Sequence, residues 1–175
     1  MKNFNRTLSF ITVLLVLLTA VVGCSGTKWP DKTSVDPAST AKTLAEKCKF
    51  SEVPAVVTTN EDVEFTLSTV LGIDTALIGR NGDTLTAAAG LCASTPEAVI
   101  VIKAVDAESA NKINDGAIKK LTETYIHDYS NYGPEEISKV ETCVNRVIGE
   151  YVFLVISADN TAAEQILNEL VNSVG

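Results

Sequence analysis

The side chains of this 175-residue chain that could do chemistry are few: one histidine, four cysteines, four tyrosines and 22 carboxylates. His127 is the only imidazole, and acid–base or metal chemistry there would need a convergent carboxylate or further ligands. Asp128 follows it directly, but adjacent helical residues do not face each other, so the two read as separate surface groups. Cys48, Cys92 and Cys143 match no zinc spacing and form no C-x-x-C pair. They read as buried apolar thiols, with a Cys92–Cys143 bridge as the alternative because both fall on expected strands. Asp106, Glu108, Asp115, Glu123, Glu135, Glu136 and Glu141 spread over helix exteriors as a solvated face. Asp159-Asn160 reads as a helix cap, since a calcium loop needs several more oxygen ligands at fixed offsets. G-x-S-x-G, H-E-x-x-H, P-loop and dinucleotide-glycine patterns are absent from the sequence. No catalytic, metal-ligating or cofactor-binding residue is therefore assigned, and the chain is not expected to be an enzyme. Tyr125, Tyr129 and Tyr132 read as packing, with Tyr132 and Pro134, on either side of Gly133, placed to line a binding groove.

The fourth cysteine, Cys24, has a different setting. Lys2 and Arg6 precede an apolar run, Phe10 to Val22, interrupted only by Thr12 and Thr19. A basic start, a short apolar core and a small residue at the boundary are the parts of a secretory signal. The run is shorter than the about 20 residues of a membrane-spanning helix. Val21-Val22-Gly23-Cys24 resembles the lipobox of bacterial lipoproteins. The resemblance implies cleavage between Gly23 and Cys24 and attachment of a diacylglycerol to the Cys24 sulfur. Two acyl chains make a stable anchor, where one gives only marginal binding.

The expected organisation is a signal peptide over residues 1–23, a flexible tether over 24–39 and a single domain over 40–175. Gly26, Pro30 and Pro37 with hydroxyl residues mark the tether; Trp29 is its odd member, suited to the lipid interface or to a loose contact on the domain. The chain carries a formal charge of −8, and residues 24–175 are more acidic still, because the first 23 hold two bases and no acid. An acidic domain is repelled by anionic lipid and lacks the basic patch that nucleic acid requires. The membrane is thus expected as a partner only through the lipid on Cys24, and nucleic acid is not expected.

Ala41, Leu44, Ala45 and Cys48 carry the spacing of a short amphipathic helix, and Val63, Leu67, Val70 and Leu71 that of a second, capped by Asn60 and ended by Gly72, although Val63, Phe65 and Leu67 also fit a strand. Ala55–Val57 is at most a brief extended piece. Asn81-Gly82 marks a turn, Asp83–Ala93 a weak strand and Ala98–Val105 a strand apolar at both parities. Asp106–Asn131 carries the longest helix pattern, Pro134 opens a short one, and Val144–Ile148 and Tyr151–Ser157 make a hairpin turning at Gly149-Glu150. A capping box, Thr161 and Glu164, starts a last helix through Ala163, Ile166, Leu167, Leu170, Val171 and Val174. The order after two short helices is β-β-α-α-β-β-α. It predicts an α+β two-layer domain, an antiparallel sheet of about four strands with helices packed on it.

The stretch "YGPEEISKVETCVNRVIGEYVFLVISADN", Tyr132 to Asn160, with "LGID" at Leu71 and "TPEAVIVIKAVD" at Thr95, resembles a family called domain of unknown function 4358. The likeness is expected to cover roughly residues 40–170, with Leu71 standing where an aromatic is usual. It implies a small lipoprotein of Gram-positive bacteria and a structural role for Tyr132, Pro134, Gly149 and Tyr151. The family has no established activity, so the resemblance assigns no catalytic residue. The resulting expectation is an extracytoplasmic, lipid-anchored module that binds an envelope protein or other envelope component. The alternative is a single-domain solute- or ligand-sensing lipoprotein.

Overall fold

The structure, a computed structural model, describes residues 28–173. The expected signal segment, Gly23, Cys24 and Val174 lie outside the described residues. Helix α1 (Pro37–Lys47) is followed by β1 (Ala55–Val57) and α2 (Asn60–Glu64), which widens into a π turn over Phe65–Val70. A 3-10 turn (Thr75–Leu77) leads to the short strands β2 (Arg80–Asn81) and β3 (Thr84–Leu85), then β4 (Ala87–Leu91) and β5 (Ala98–Lys103). Helices α3 (Ala107–Ile113) and α4 (Lys119–Tyr132) are joined without a break by a π turn, Asn114–Ile118. A 3-10 turn (Pro134–Glu136) and α5 (Ile137–Glu141) precede the hairpin β6 (Val144–Ile148) and β7 (Tyr151–Ile156), and α6 (Asn160–Asn172) closes the chain.

The main sheet is antiparallel, in the order β1-β4-β5-β7-β6, and β2-β3 form a separate ribbon. The α+β class is as the sequence indicates. Ala55–Val57 supplies a fifth strand, pairing with Ala89–Leu91 at the edge. Such an edge is legible only once its partner is known: a Cβ on Gly90 would lie 3.0 Å from Pro54 Cβ and Val56 Cγ2, so only glycine lets β1 approach. Asp83–Ala93, expected as one strand, breaks into β3 and β4 because Thr86 turns aside to bond Gly79 and Lys103.

Apolar residues at both parities of β5 and β7 demand cover on both faces. Ile100, Ile102, Val152 and Leu154 pack with α2, α3 and the following turns, while Val99, Val101, Phe153 and Val155 pack with α1 and α6. The domain therefore has three layers, helix–sheet–helix, rather than the two expected from element order. Each fully buried aliphatic or aromatic side chain of these strands contributes about 1.5–3 kcal/mol. Gly149 takes φ 58° at the first position of the two-residue β6–β7 turn, the conformation a tight hairpin requires there.

Helix starts follow from local chemistry. Asp36, Asp106 and Asp159 cap α1, α3 and α6 through their side chains. The expected capping box is replaced: Asp159 caps α6, and Glu164 instead pairs with Arg146 at 2.7 Å. Thr59, not Asn60, caps α2, leaving the Asn60 side chain to accept from Leu85 N–H at 2.9 Å. Val70, counted on the apolar stripe, is exposed because the π turn rotates it outward.

Part of the stretch expected as tether lies on the domain. Val35 is buried, the Arg146 guanidinium sits 5.1 Å from the Trp29 ring centre, and Thr33 donates to the Val171 carbonyl. Pro37–Ser39 already belong to α1. Among the described residues no helix is long and apolar enough to cross a membrane.

Candidate functional site

The last turns of α4 carry Tyr125, Asp128, Tyr129 and Tyr132 at i, i+3, i+4 and i+7, which places them on one helix face. With Ser94 from the β4–β5 loop they line a recess of about 430 Å³. Tyr125 and Tyr129 meet edge to face, ring centres 6.2 Å apart at 83°, the arrangement aromatic quadrupoles favour. Tyr132 stands 91 % exposed at the rim. Burial lifts the Tyr125 phenol to about 12, with the neighbouring Tyr129 adding to the rise. Burial raises Tyr129 as well, followed by the charge of Glu136. Pro134 does not line the recess; it is exposed and starts the 3-10 turn that redirects the chain.

Next to this face lies a second polar cluster. Glu97, directly before β5, is completely buried. Its carboxylate accepts from Ser51 N–H at 2.7 Å, Ser51 Oγ at 3.0 Å, Glu52 N–H at 3.3 Å and Lys139 Nζ at 3.1 Å. Lys139 also reaches Ser51 Oγ and both oxygens of Glu136, one at 2.7 Å. Burial alone would push the Glu97 carboxyl up, but the Lys139 ammonium and the Ser51 and Glu52 donors outweigh it and hold it below the usual range. Burial likewise opposes the charge of Lys139, and Glu136 and Glu97 more than restore it, so its pKa is raised. The cluster ties the β1 approach, β5 and α5 together, and both Glu97 carboxylate oxygens accept hydrogen bonds within it. It is a clamp, not a free base.

Cys92, beside this cluster, donates its thiol to the Glu52 carbonyl at 3.0 Å. Burial, with the charges of Glu52 and Glu97, keeps the thiol above its usual range against opposing contributions from Thr95 and Lys139. Cys48 is buried and raised to about 11 by that burial. Cys92 and Cys143 are half-buried, and all three thiols are free. A Cys92–Cys143 bridge is excluded by topology. The two residues flank β4 and β6, which β5 and β7 separate, and three strand spacings amount to about 14 Å, twice the reach of a disulfide.

His127 and Asp128, expected as separate surface groups, are in contact. The His127 Nδ1 lies 3.1 Å from Asp128 Oδ1, with side chains 82 % and 59 % exposed. Exposed side chains free to rotate can meet even from adjacent positions. Among the described residues no group of three or more His, Cys, Asp or Glu side chains could hold a metal, so the pair gains no third member there. Glu97 and Lys139 were not singled out by their sequence pattern. The available signal was a carboxylate directly preceding a strand apolar at both parities, a place where an acid must find a partner or stay neutral.

No curated protein and no solved structure matches the chain. Residues 91–157, a shorter span than the 40–170 expected, match the model of the family described as Domain of unknown function (DUF4358), and that span holds Glu97, Lys139 and every residue lining the recess.

Proposed function

We propose that this chain is a lipoprotein of the extracytoplasmic membrane face, cleaved after Gly23, acylated on Cys24, and acting as a binding module of the cell envelope through the tyrosine recess. The observation that carries the reading is Tyr132: a large aromatic side chain left 91 % exposed at the mouth of a recess that Tyr125 and Tyr129 line. Exposed aromatics beside well-packed ones are what binding surfaces use as anchors.

The placement of the N-terminal segment supports the orientation. Lys28 follows Cys24 by four positions in the sequence, a reach of about 14 Å, and Lys28 is held by Asn168 of α6. Trp29 and Val35 pack with the core on the α1/α6 side of the sheet, while Leu121, Tyr125 and Ile126 pack with the core on the other side. A lipid on Cys24 would hold the α6 side toward the membrane and turn the recess away from it.

The test is in-cell photocrosslinking with a reactive residue at position 132 and, as control, at Ser173 on the α6 side. A single dominant adduct at 132, absent at 173 and lost in Cys24→Ala, is the expected result. An adduct at 173 alone would move the binding face. A Cys24→Ala form that still fractionates wholly with membranes would remove the lipid anchor from the reading. A second reading, a single-domain sensor of a small ligand, is favoured by the recess volume of about 430 Å³, within the range of small-molecule sites.

A further inference from the structure

We infer that the tyrosine recess is a site for a small quaternary ammonium solute; the inference rests on the reading that this recess is the binding face. Three tyrosines and one carboxylate are four of its five lining residues, and the fifth is Ser94. Ring faces carry negative potential and attract cations, most strongly cations that give up little hydration. A trimethylammonium head is such a cation. A primary ammonium is held by water unless three acceptors replace it.

The field at the recess has the sign this ligand needs. No lining residue is basic, and the last turn of α4 contains no Lys or Arg to offset the negative end of the helix. Lys139, which the Tyr129 phenol senses, is already paired with Glu97 and Glu136. Asp128 lies on the lining with its side chain 59 % exposed, one oxygen near His127. The recess lies on the sheet face opposite Trp29 and Val35, so a solute suits it better than a headgroup of the membrane that holds the chain.

The test uses the full chain in maltoside micelles, which contain no choline, with carbon-13 label in its four tyrosines. Tyr151, buried in the sheet core, is the internal reference. Choline is titrated against its uncharged carbon isostere, a tert-butyl group replacing trimethylammonium, and against Nα-acetyl-lysine amide, whose ε-ammonium is free. The expected result is a saturable shift of Tyr125, Tyr129 and Tyr132 but not Tyr151. Choline should bind about tenfold more tightly than the isostere, with a loss of about three- to tenfold in Asp128→Asn and of at least about fivefold in Tyr132→Leu. Equal binding of choline and isostere would make the recess merely apolar and overturn the inference. Tighter binding of the lysine probe would replace the solute with a basic partner surface. No saturable shift would remove the site. If choline fails while a crosslinker at 132 still captures its partner, only the ammonium assignment falls; if choline binds and position 132 captures nothing, only the partner-binding reading falls.

Discussion

The Glu97–Lys139 cluster and the tyrosine recess lie side by side and put polar groups to opposite uses. At the cluster a completely buried carboxylate meets five donor contacts within 3.4 Å, from Ser51, Glu52, Thr95 and Lys139, and its capacity is spent on holding three segments together. At the recess Tyr132 is almost wholly in water, and Asp128, more than half exposed, meets the still more solvated His127. Desolvation is what separates them. A buried charge must be satisfied by the protein itself, whereas an exposed ring and carboxylate are solvated by water.

The sharpest way to break this contrast is Glu97→Ala. It leaves the Ser51 and Glu52 amides without their acceptor and Lys139 without one of its two carboxylates, and should cost about 3 kcal/mol or more in urea unfolding. A loss under about 1 kcal/mol would mean the cluster is no clamp.

The pH profile follows from the same pair. The folded Glu97 carboxyl sits below its ordinary value, so its contribution is fully present above the unfolded pKa near 4.5 and is lost as pH falls through the lower folded value. The folded Lys139 sits above its ordinary 10.5, so its contribution is fully present below that pH and is lost as pH rises through the higher folded value. Glu97→Gln should flatten the acid limb of a stability-versus-pH curve. An unchanged acid limb would assign acid sensitivity to other carboxylates.

Tyr125→Ala tests the recess from its packed side. The half-buried ring contacts the core and Tyr129 edge to face, and its removal should cost about 1–2 kcal/mol in thermal or urea unfolding. The smallest stability effect belongs to Tyr132→Ala, within about 0.5 kcal/mol of the parent, while its choline affinity falls at least about fivefold. A Tyr132→Ala form destabilised as much as Tyr125→Ala would turn the exposed ring into a packing residue and dissolve the comparison.

Local chemistry is readable along much of the chain. The hairpin at Gly149-Glu150, the strand at Ala98, the long helix after Asp106 and the Asp159 cap all follow from periodicity and turn residues, which act within a few positions. The departures share a cause. Thr59 displaces Asn60 as a cap because Leu85, 25 residues away, claims the Asn60 side chain. Glu164 leaves its capping box for Arg146, 18 residues away. The chain break after Tyr132 is legible from Gly133-Pro134, but the grouping of Tyr132 with Ser94 is not.

The sequence by itself determined the α+β class, the antiparallel hairpins and the tyrosine face of α4, because alternation, helical spacing and turn preferences are properties of neighbouring residues. Only the tertiary structure decided that helices cover both sheet faces, that Ala55–Val57 is a strand, that Cys92 and Cys143 are too far apart to bridge, and that Glu97 finds Ser51 and Lys139. Each of these depends on which distant segments meet, and that is set by closing a common core rather than by any local pattern.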